Sequence, residues 1–179
     1  LNDLREICRE VVFLERNRNP RIRIEEDFPD TSVMVNCDSN QIARALTNIL
    51  KNAAESIRTK MSSEISRKEN GLISIKLEHQ NLSSLTNESY YLKIIVMDNG
   101  KGLPADCERL MEPYVTTRGK GTGLGLAIVR KIMEDHYGNI HLENRKVGGA
   151  QVILSLPFDR DLPKARKLHR NVMTAERAQ

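Results

Sequence analysis

Apolar residues recur along this chain at two spacings, which predict helices and strands in a definite order. Helical spacing covers residues 1–16, a segment beginning at Asp38, and a segment following Gly125. Strand-length alternating or continuous apolar runs occupy six further segments: residues 21–25, 32–36, 72–77, 90–97, 140–143 and 150–156. Because the strands come in pairs between helices, we predict an α/β (α+β) two-layer sandwich. It would place one mixed sheet against a layer of helices, and would not be a doubly wound fold.

Local signals set the expected bounds of these elements. Asp38 with Gln41 three residues later is typical of a capping box at a helix start. The polar stretch 79–89 predicts a loose hairpin connection, and the almost continuously apolar stretch 90–97 predicts a central strand. Gly138 predicts the C-terminal stop of the last helix, which should run to about Tyr137.

Composition narrows the class of protein. The 179 residues suffice for one domain with its own core, and the net charge of +4 is mild. Aromatic residues make up 4% and tryptophan is absent, so we expect no nucleic-acid binding. No apolar run approaches about 18 residues, so we expect no membrane contact by this segment. The three cysteines lack the spacing of a disulfide framework or zinc site, which fits the reducing cytoplasm. The chain starts at Leu1, not at a methionine, so we expect a fragment of a longer protein. We also expect this fragment to be monomeric.

Three polar residues form a strip beside the apolar face of the helix that begins at Asp38. Asn48, Asn52 and Glu55 lie at positions i, i+4 and i+7. Asparagine is a mediocre helix former, so two of them one turn apart beside a buried face are unexpected. Their amide oxygens could ligate Mg²⁺, which prefers oxygen ligands. The alternative is a pair of solvated side chains at the helix edge.

A carboxylate follows the predicted central strand. Asp98 precedes a segment that contains Gly100 and Gly102, and residues 103–106 do not continue as a strand. The carboxylate could accept a hydrogen bond from an exocyclic amine such as adenine N6. The two glycines would let a flat ligand lie against the backbone. The alternative is an ordinary turn aspartate.

Three alternating glycines, Gly121, Gly123 and Gly125, precede the last helix. Backbone N–H groups of such a loop and the positive end of the helix suit a phosphate. The spacing fits neither a P-loop nor a dinucleotide-binding fingerprint, and a capped helix without ligand is the alternative. Residues 113–119, just before the glycines, predict a mobile lid.

The order of these motifs resembles that of one known family, the catalytic, ATP-binding domains of sensor histidine kinases. The matching motifs are Asn48-x-x-x-Asn52-Ala53, Asp98-x-Gly100-x-Gly102, Thr116-Thr117-Arg118, the segment Gly121 to Leu126, and Gly148-Gly149. These domains share the GHKL superfamily and the Bergerat-type fold with gyrase-type ATPases and the MutL repair proteins. The similarity spans residues 20–157. Residues 49–56 and 112–117 are most similar to nitrogen-regulation sensor kinases of the NtrY or NtrB type, nearer to NtrY.

The resemblance implies a role for each matching position. Asn52 would bind Mg²⁺ with Asn48 supporting it, and Asp98 would bind adenine N6 with Gly100 and Gly102 admitting the base. Arg118 and Lys120 would meet the β- and γ-phosphates of ATP and would be catalytic together with Asn48 and Asn52. The other implied cofactor-binding residues belong to the lid and the glycine segment: Tyr114, Thr116, Thr117, Gly121, Thr122, Gly123, Leu124 and Gly125.

One position separates the two activities of the superfamily. Gyrase-type ATPases carry a glutamate one turn before the magnesium asparagine, where it activates water. This chain has Asn48 there, and an amide is not a general base. The resemblance therefore implies transfer of the γ-phosphoryl group to a protein histidine, although Glu55 leaves some residual hydrolysis open.

The histidines of the chain, His79, His136, His141 and His169, are not followed by an acid as a phosphoacceptor histidine would be. We expect all four to be structural or surface residues and the acceptor to lie on a separate, absent domain. Residues 1–19 would be the end of the preceding dimerisation and phosphoacceptor helix or a linker. Residues 20–157 would form the ATP-binding catalytic domain and residues 158–179 a basic tail.

The implied partners are the phosphoacceptor and dimerisation domain of the same parent and, indirectly, a response regulator. The implied location is the cytoplasm, with the parent anchored in the inner membrane. Two alternatives stay open. One is a gyrase- or MutL-type ATPase, and the other is a nucleotide-gated interaction module without catalysis.

Overall fold

The structure, a computed structural model, describes residues 1–62, 70–83, 88–115 and 123–158. Within these ranges the elements are, in chain order, β1 (Asn2–Asp3), α1 (Leu4–Arg18), β2 (Ile22–Asp27), β3 (Met34–Val35), α2 (Ser39–Met61), β4 (Gly71–Ser83), β5 (Glu88–Asp98), a 3-10 helix (Cys107–Met111), α3 (Gly125–Asp135), β6 (Asn139–Asn144) and β7 (Ala150–Pro157).

Five strands form the main sheet in the order β2-β4-β5-β7-β6. β2 runs parallel to β4 and the other neighbouring pairs are antiparallel, so the sheet is mixed as predicted. β5 is the middle strand, which confirms the prediction for residues 90–97. Alternate residues of the strands are buried, such as Ile73, Ile75 and Leu77 of β4, so one face of the sheet packs on the helices. The prediction of a two-layer sandwich is therefore confirmed.

The central helix α2 contacts both other helices as well as β4 and β5. Asp38 caps it, because its Oδ1 accepts hydrogen bonds from the N–H groups of Asn40 and Gln41. The reciprocal bond of a capping box is made by another residue than predicted: Nε2 of His136 accepts the Asp38 N–H at 3.0 Å. This bond ties the start of α2 to the end of α3.

Two strand predictions were wrong in detail. The polar stretch 79–89, predicted as a loose connection, belongs largely to β4 and β5, which pair as far as Ser83 and Glu88. Cross-strand hydrogen bonds satisfy the backbone there whatever the side chains are. The short strand predicted at 32–36 is Met34–Val35, and it pairs with β1 in a separate two-stranded sheet.

The end of α3 also differs from the prediction. The helix ends at Asp135, and Tyr137, with φ of 56°, takes the left-handed position that Gly138 was expected to supply. The N–H of Gly138 donates to Met133 O at 2.8 Å and that of Tyr137 to Glu134 O at 3.0 Å, which is a Schellman ending. Gly138 serves close packing, since a Cβ there would lie 2.4 Å from Ser155 O.

α1 packs against α2 and contributes Leu4, Val11 and Val12 to the same core as the sheet. Its one buried acid, Glu15, is bonded by Arg18 Nη1 at 2.6 Å and by Asn19 Nδ2. The division of the chain at residues 19 and 157 stays a prediction. Within the described ranges, no helix has both the length and the apolar character that a membrane crossing requires.

Candidate functional site

A cleft of about 490 Å³ opens between α2, the end of β5 and the start of α3. Its size is within the usual range for small-molecule sites. One wall is apolar and comes from the sheet, the 3-10 helix and both flanking helices: Ile49, Ala53, Val96, Leu110, Leu126, Ile128, Leu142 and Val152. The rest of the lining includes residues predicted from three separate parts of the sequence: Asn48, Asn52, Glu55, Asp98, Gly102, Gly123, Leu124 and Gly125.

Asp98 is the last residue of β5, which carries it to the inner end of the cleft, where it is 5% exposed. Its carboxylate accepts hydrogen bonds from the N–H groups of Gly100, at 2.8 Å, and of Ala150. Burial raises the pKa of the Asp98 carboxyl, and these two bonds and the charge of Arg145 oppose the rise. The site thus holds a buried carboxyl that is bonded by backbone N–H groups from two different segments.

The two glycines after Asp98 act differently. Gly102 has φ of 83° and lines the cleft, and a Cβ there would lie 2.7 Å from Asn144 Oδ1. Gly100 lies behind the lining, where a Cβ would be 2.3 Å from Ser56 Oγ. Gly102 therefore lets the segment lie against Asn144, whereas Gly100 lets it pack on α2.

The polar strip of α2 faces the start of α3. A Cβ on Gly125 would lie 3.4 Å from Asn48 Oδ1 and 3.9 Å from Asn52 Nδ2. Asn48 Nδ2 donates to Arg44 O at 2.9 Å, which leaves its amide oxygen on the side of the cleft that Gly125 borders. An amide oxygen beside a helix N-terminus, as Asn48 provides here, suits a magnesium-bound phosphate.

Tyr114 lies outside the cleft lining. It is 77% exposed with φ of 65°, and its N–H donates to Gly123 O at 3.1 Å. A Cβ on Gly123, whose φ is 66°, would lie 2.6 Å from the Tyr114 carbonyl carbon, so this crossing requires glycine. Six predicted site residues lie outside the described part of the chain: Thr116, Thr117, Arg118, Lys120, Gly121 and Thr122.

Several lining or supporting residues were not predicted from the sequence. Ser56, 7% exposed, accepts the Lys101 N–H through Oγ at 3.1 Å, and Lys51 and Lys101 line the cleft. Arg145 Nη1 donates to Asp98 O at 2.8 Å. Ser56 could have been noticed because it follows Asn52 by one helical turn. Nothing in the local sequence connects Arg145 to a residue 47 positions away.

The described histidines have structural surroundings. His136 bonds the start of α2 through the Asp38 N–H, and His79 packs edge-on against Phe158 with ring centres 4.9 Å apart. His141 Nε2 lies 3.5 Å from Glu143 Oε2 on β6. His169 lies outside the described residues.

The sequence and the fold are similar to those of one family of proteins. Residues 37–160 match the family described as "Histidine kinase-, DNA gyrase B-, and HSP90-like ATPase". The chain belongs to this family of ATP-binding domains, and membership implies that it binds ATP. The fold class and the resemblance to sensor histidine kinase catalytic domains are thereby confirmed.

Individual relatives and solved structures show which kind of protein in this family the chain is similar to. The nitrogen regulation protein NtrY of Azorhizobium caulinodans is 42% identical over 156 residues, which are 86% of this chain and 19% of that protein. The catalytic domain of histidine kinase ThkA is 32% identical, with a TM-score of 0.67, covering 88% of this chain and 93% of that one. A mycobacterial sensor histidine kinase, MprB, at 22% identity and a TM-score of 0.70, shares the fold.

The chain thus has the ATP-binding catalytic domain of a sensor histidine kinase, similar in sequence to the NtrY type, as predicted. It spans about a fifth of the length of the curated NtrY relatives that it matches, and these proteins contain further domains.

Proposed function

We propose that this domain binds Mg²⁺–ATP and transfers the γ-phosphoryl group to a histidine on a separate phosphoacceptor domain of its parent. The observation that carries the proposal is one shared cleft, which is lined by Asp98 and also by Asn48, Asn52 and Gly125. Phosphoryl transfer depends mostly on positioning and charge stabilisation, which such a cleft can supply.

At the Asp98 end the ligand is the adenine base. The ionised carboxylate accepts a hydrogen bond from the exocyclic N6 amine, and Gly102 leaves space for the ring. The apolar wall, which includes Ile49 and Val96, covers the faces of the base. The raised pKa of Asp98 matters here, because a protonated carboxyl is a weaker acceptor for an amine.

At the other end the ligand is the metal-bridged triphosphate. Asn52 would supply an amide oxygen to Mg²⁺ with the support of Asn48, and residues 123–125, which lead into α3, would receive phosphate oxygens through backbone N–H groups. The absence of a Cβ at Gly125 supports this, because the space beside the Asn48 oxygen stays open. Magnesium neutralises the charge of the β- and γ-phosphates when it is bound.

The lid residues complete the phosphate site in this proposal. Arg118 and Lys120 would meet the β- and γ-phosphates, and Gly121 and Thr122 would help to cradle the triphosphate. Thr116 and Thr117 would also bind the nucleotide, and Tyr114 would be the lid aromatic. The exposure of Tyr114 and its backbone bond to Gly123 support a position at the mouth of the cleft.

Transfer is favoured over hydrolysis by the side chain at position 48. Neither Asn48 nor Asn52 can take a proton from water, so the γ-phosphate survives until the acceptor histidine arrives. Glu55 also lines the cleft, and a gyrase-type ATPase is therefore the second candidate. Steady release of ADP by the purified chain without an acceptor would favour that second candidate.

The wider organisation follows the similarity to sensor kinases. The donor domain is residues 20–157, the acceptor domain and a response regulator are its partners, and the parent is anchored in the inner membrane with this domain in the cytoplasm.

The test combines nucleotide titration with phosphotransfer in trans. Asp98→Asn should lose adenine affinity and selectivity, whereas Asn52→Ala should lose mainly the magnesium dependence of binding. Addition of the parent's phosphoacceptor domain with labelled ATP should yield acid-labile phosphate on that domain. If neither substitution alters binding, the site assignment fails; if binding holds and no phosphohistidine forms, the domain is an interaction module.

A further inference from the structure

The turn between β6 and β7 lies directly behind Asp98. It is closed by hydrogen bonds from Arg145 N to Gly149 O and from Gly148 N to Arg145 O, both at 3.0 Å. Gly148 and Gly149 have φ of 91° and 83°, and a Cβ on Gly149 would lie 2.0 Å from Asp98 O. The turn therefore approaches the end of β5 as closely as a backbone can.

Because the turn lies so close to the end of β5, Arg145 can hydrogen-bond to Asp98. Its Nη1 donates to the main-chain oxygen of Asp98 at 2.8 Å, and its side chain is partly buried. On the next strand, the N–H of Ala150 donates to the Asp98 carboxylate. The backbone and the side chain of the same aspartate are thus both bonded by residues of one hairpin.

Asn144, the residue before Arg145, holds the other end of the segment that runs from Asp98 to Leu103. Its Oδ1 accepts the Leu103 N–H at 2.7 Å and its Nδ2 donates to Leu103 O at 3.0 Å. A side-chain amide here makes the pair of bonds that a neighbouring strand would make. The same Oδ1 borders Gly102, where it limits the size of the residue beside the cleft.

The opposite side of the segment is held by α2, through Ser56 to Lys101 N and through Lys60 Nζ to Asn99 O at 3.1 Å. These bonds reach only the middle of the segment, whereas the hairpin reaches both of its ends. We propose that Asn144 and Arg145 are positioning residues that set the Asp98 carboxylate and Gly102 at the distance adenine requires. The inference rests on the proposed binding of adenine by Asp98.

The test compares ATP with GTP, which has an oxygen in place of the N6 amine, by titration of the purified chain with each nucleotide. Arg145→Gln and Asn144→Ala should weaken ATP binding on the order of tenfold, since each removes a hydrogen bond that fixes the segment. GTP binding should change by less than about twofold, because it does not use the amine contact. The Kd for GTP divided by the Kd for ATP should therefore decrease.

Lys146→Gln is the matched control, because it removes a charge from the same turn at an exposed position. Lys146→Gln should leave the ratio of the two Kd values unchanged. Arg145→Lys should recover part of the selectivity for ATP that Arg145→Gln loses. In an Asp98→Asn background, Arg145→Gln should cost no further ATP affinity, because the contact that it positions is already gone.

An equal loss of ATP and GTP affinity in Arg145→Gln and in Arg145→Lys would mean that the residue only stabilises the fold, and would overturn the inference. An unchanged ratio in both hairpin variants would overturn it too, provided Asp98→Asn does abolish selectivity. If Asp98→Asn itself keeps full ATP selectivity, the assignment of the adenine end fails, and this inference fails with it.

Discussion

Gly125, the first residue of α3, borders Asn48 of α2, and a Cβ on Gly125 would lie in van der Waals contact with the Asn48 amide oxygen, at 3.4 Å. The two residues are 77 positions apart in sequence, yet they border the same end of the cleft. In the proposed function, the space beside Gly125 is where a phosphate approaches both backbone N–H groups and an amide oxygen.

Gly125→Ala should therefore weaken ATP binding by about tenfold without lowering stability. Alanine is a better helix former than glycine by up to about 1 kcal/mol, so the midpoint of thermal unfolding should stay or rise. The methyl group should obstruct the triphosphate alone, and adenosine affinity should be unaffected. Titration calorimetry with ATP and adenosine, together with a thermal scan, checks this. An equal loss of affinity for ATP and for adenosine would show that the methyl group disturbs the whole cleft and not only the triphosphate end.

Asn48→Glu should increase the rate at which the domain hydrolyses ATP. A carboxylate at this position could take a proton from water, and general-base catalysis contributes about 10²–10⁴-fold. We expect the rate of ADP release, measured with a coupled assay in the absence of any acceptor, to rise by about a hundredfold, the lower end of that range. Asn48→Gln is the control, because it lengthens the side chain and keeps the amide. A rise in both variants would show that the change comes from geometry and not from the base.

The elements that sequence predicted best are those whose own residues determine them. The alternation of β4, the apolar run of β5 and the face of α2 are local patterns, and these elements lie where they were expected. The ends were predicted less well, because tertiary contacts decide them. The polar residues 79–83 are strand because β5 pairs with them. Tyr137 takes the left-handed conformation, and Gly138 packs against Ser155.

The residues of the candidate site likewise fall into those that the sequence predicted and those that it did not. Asn48, Asn52, Asp98 and Gly102 stand in motifs whose residue types carry chemistry, so the sequence alone was enough to select them. Arg145, Asn144 and Ser56 act by holding backbone, and any residue with a donor or acceptor in the right place can do that. Their partners lie 41 to 47 positions away, so only the folded chain reveals them.

The raised pKa of Asp98 should make the stability of the protein depend on pH in a predictable direction. The folded protein holds this proton more tightly than the unfolded chain, because burial disfavours the charge. As the pH rises from the ordinary value of 3.8 through the raised folded-state pKa, the contribution of Asp98 to the free energy of unfolding should therefore fall, and above that pKa it should be constant. The carboxylate is thus kept at neutral pH at a cost in stability.

Asp98→Asn removes this titration and provides the comparison. The free energy of unfolding of the wild type minus that of the variant should decrease with rising pH across the window and then level off. Urea denaturation of both proteins between about pH 4 and about pH 8 measures the difference. Two curves that stay parallel throughout would contradict a raised pKa at Asp98.

The end of α3 offers a prediction that is independent of ligand binding. Tyr137 is 89% exposed and holds φ of 56°, a conformation that a residue with a Cβ adopts at a cost and glycine adopts freely. Tyr137→Gly should raise the free energy of unfolding by about 0.5–1 kcal/mol, since the relief of the backbone exceeds the extra entropy of the unfolded chain. Tyr137→Ala is the matched control, because it removes the same exposed ring and keeps the Cβ. Denaturant melts should show stabilisation in the glycine variant alone. Equal gains in both would attribute the effect to loss of the ring, and a loss in the glycine variant would mean that the backbone is not strained at this position.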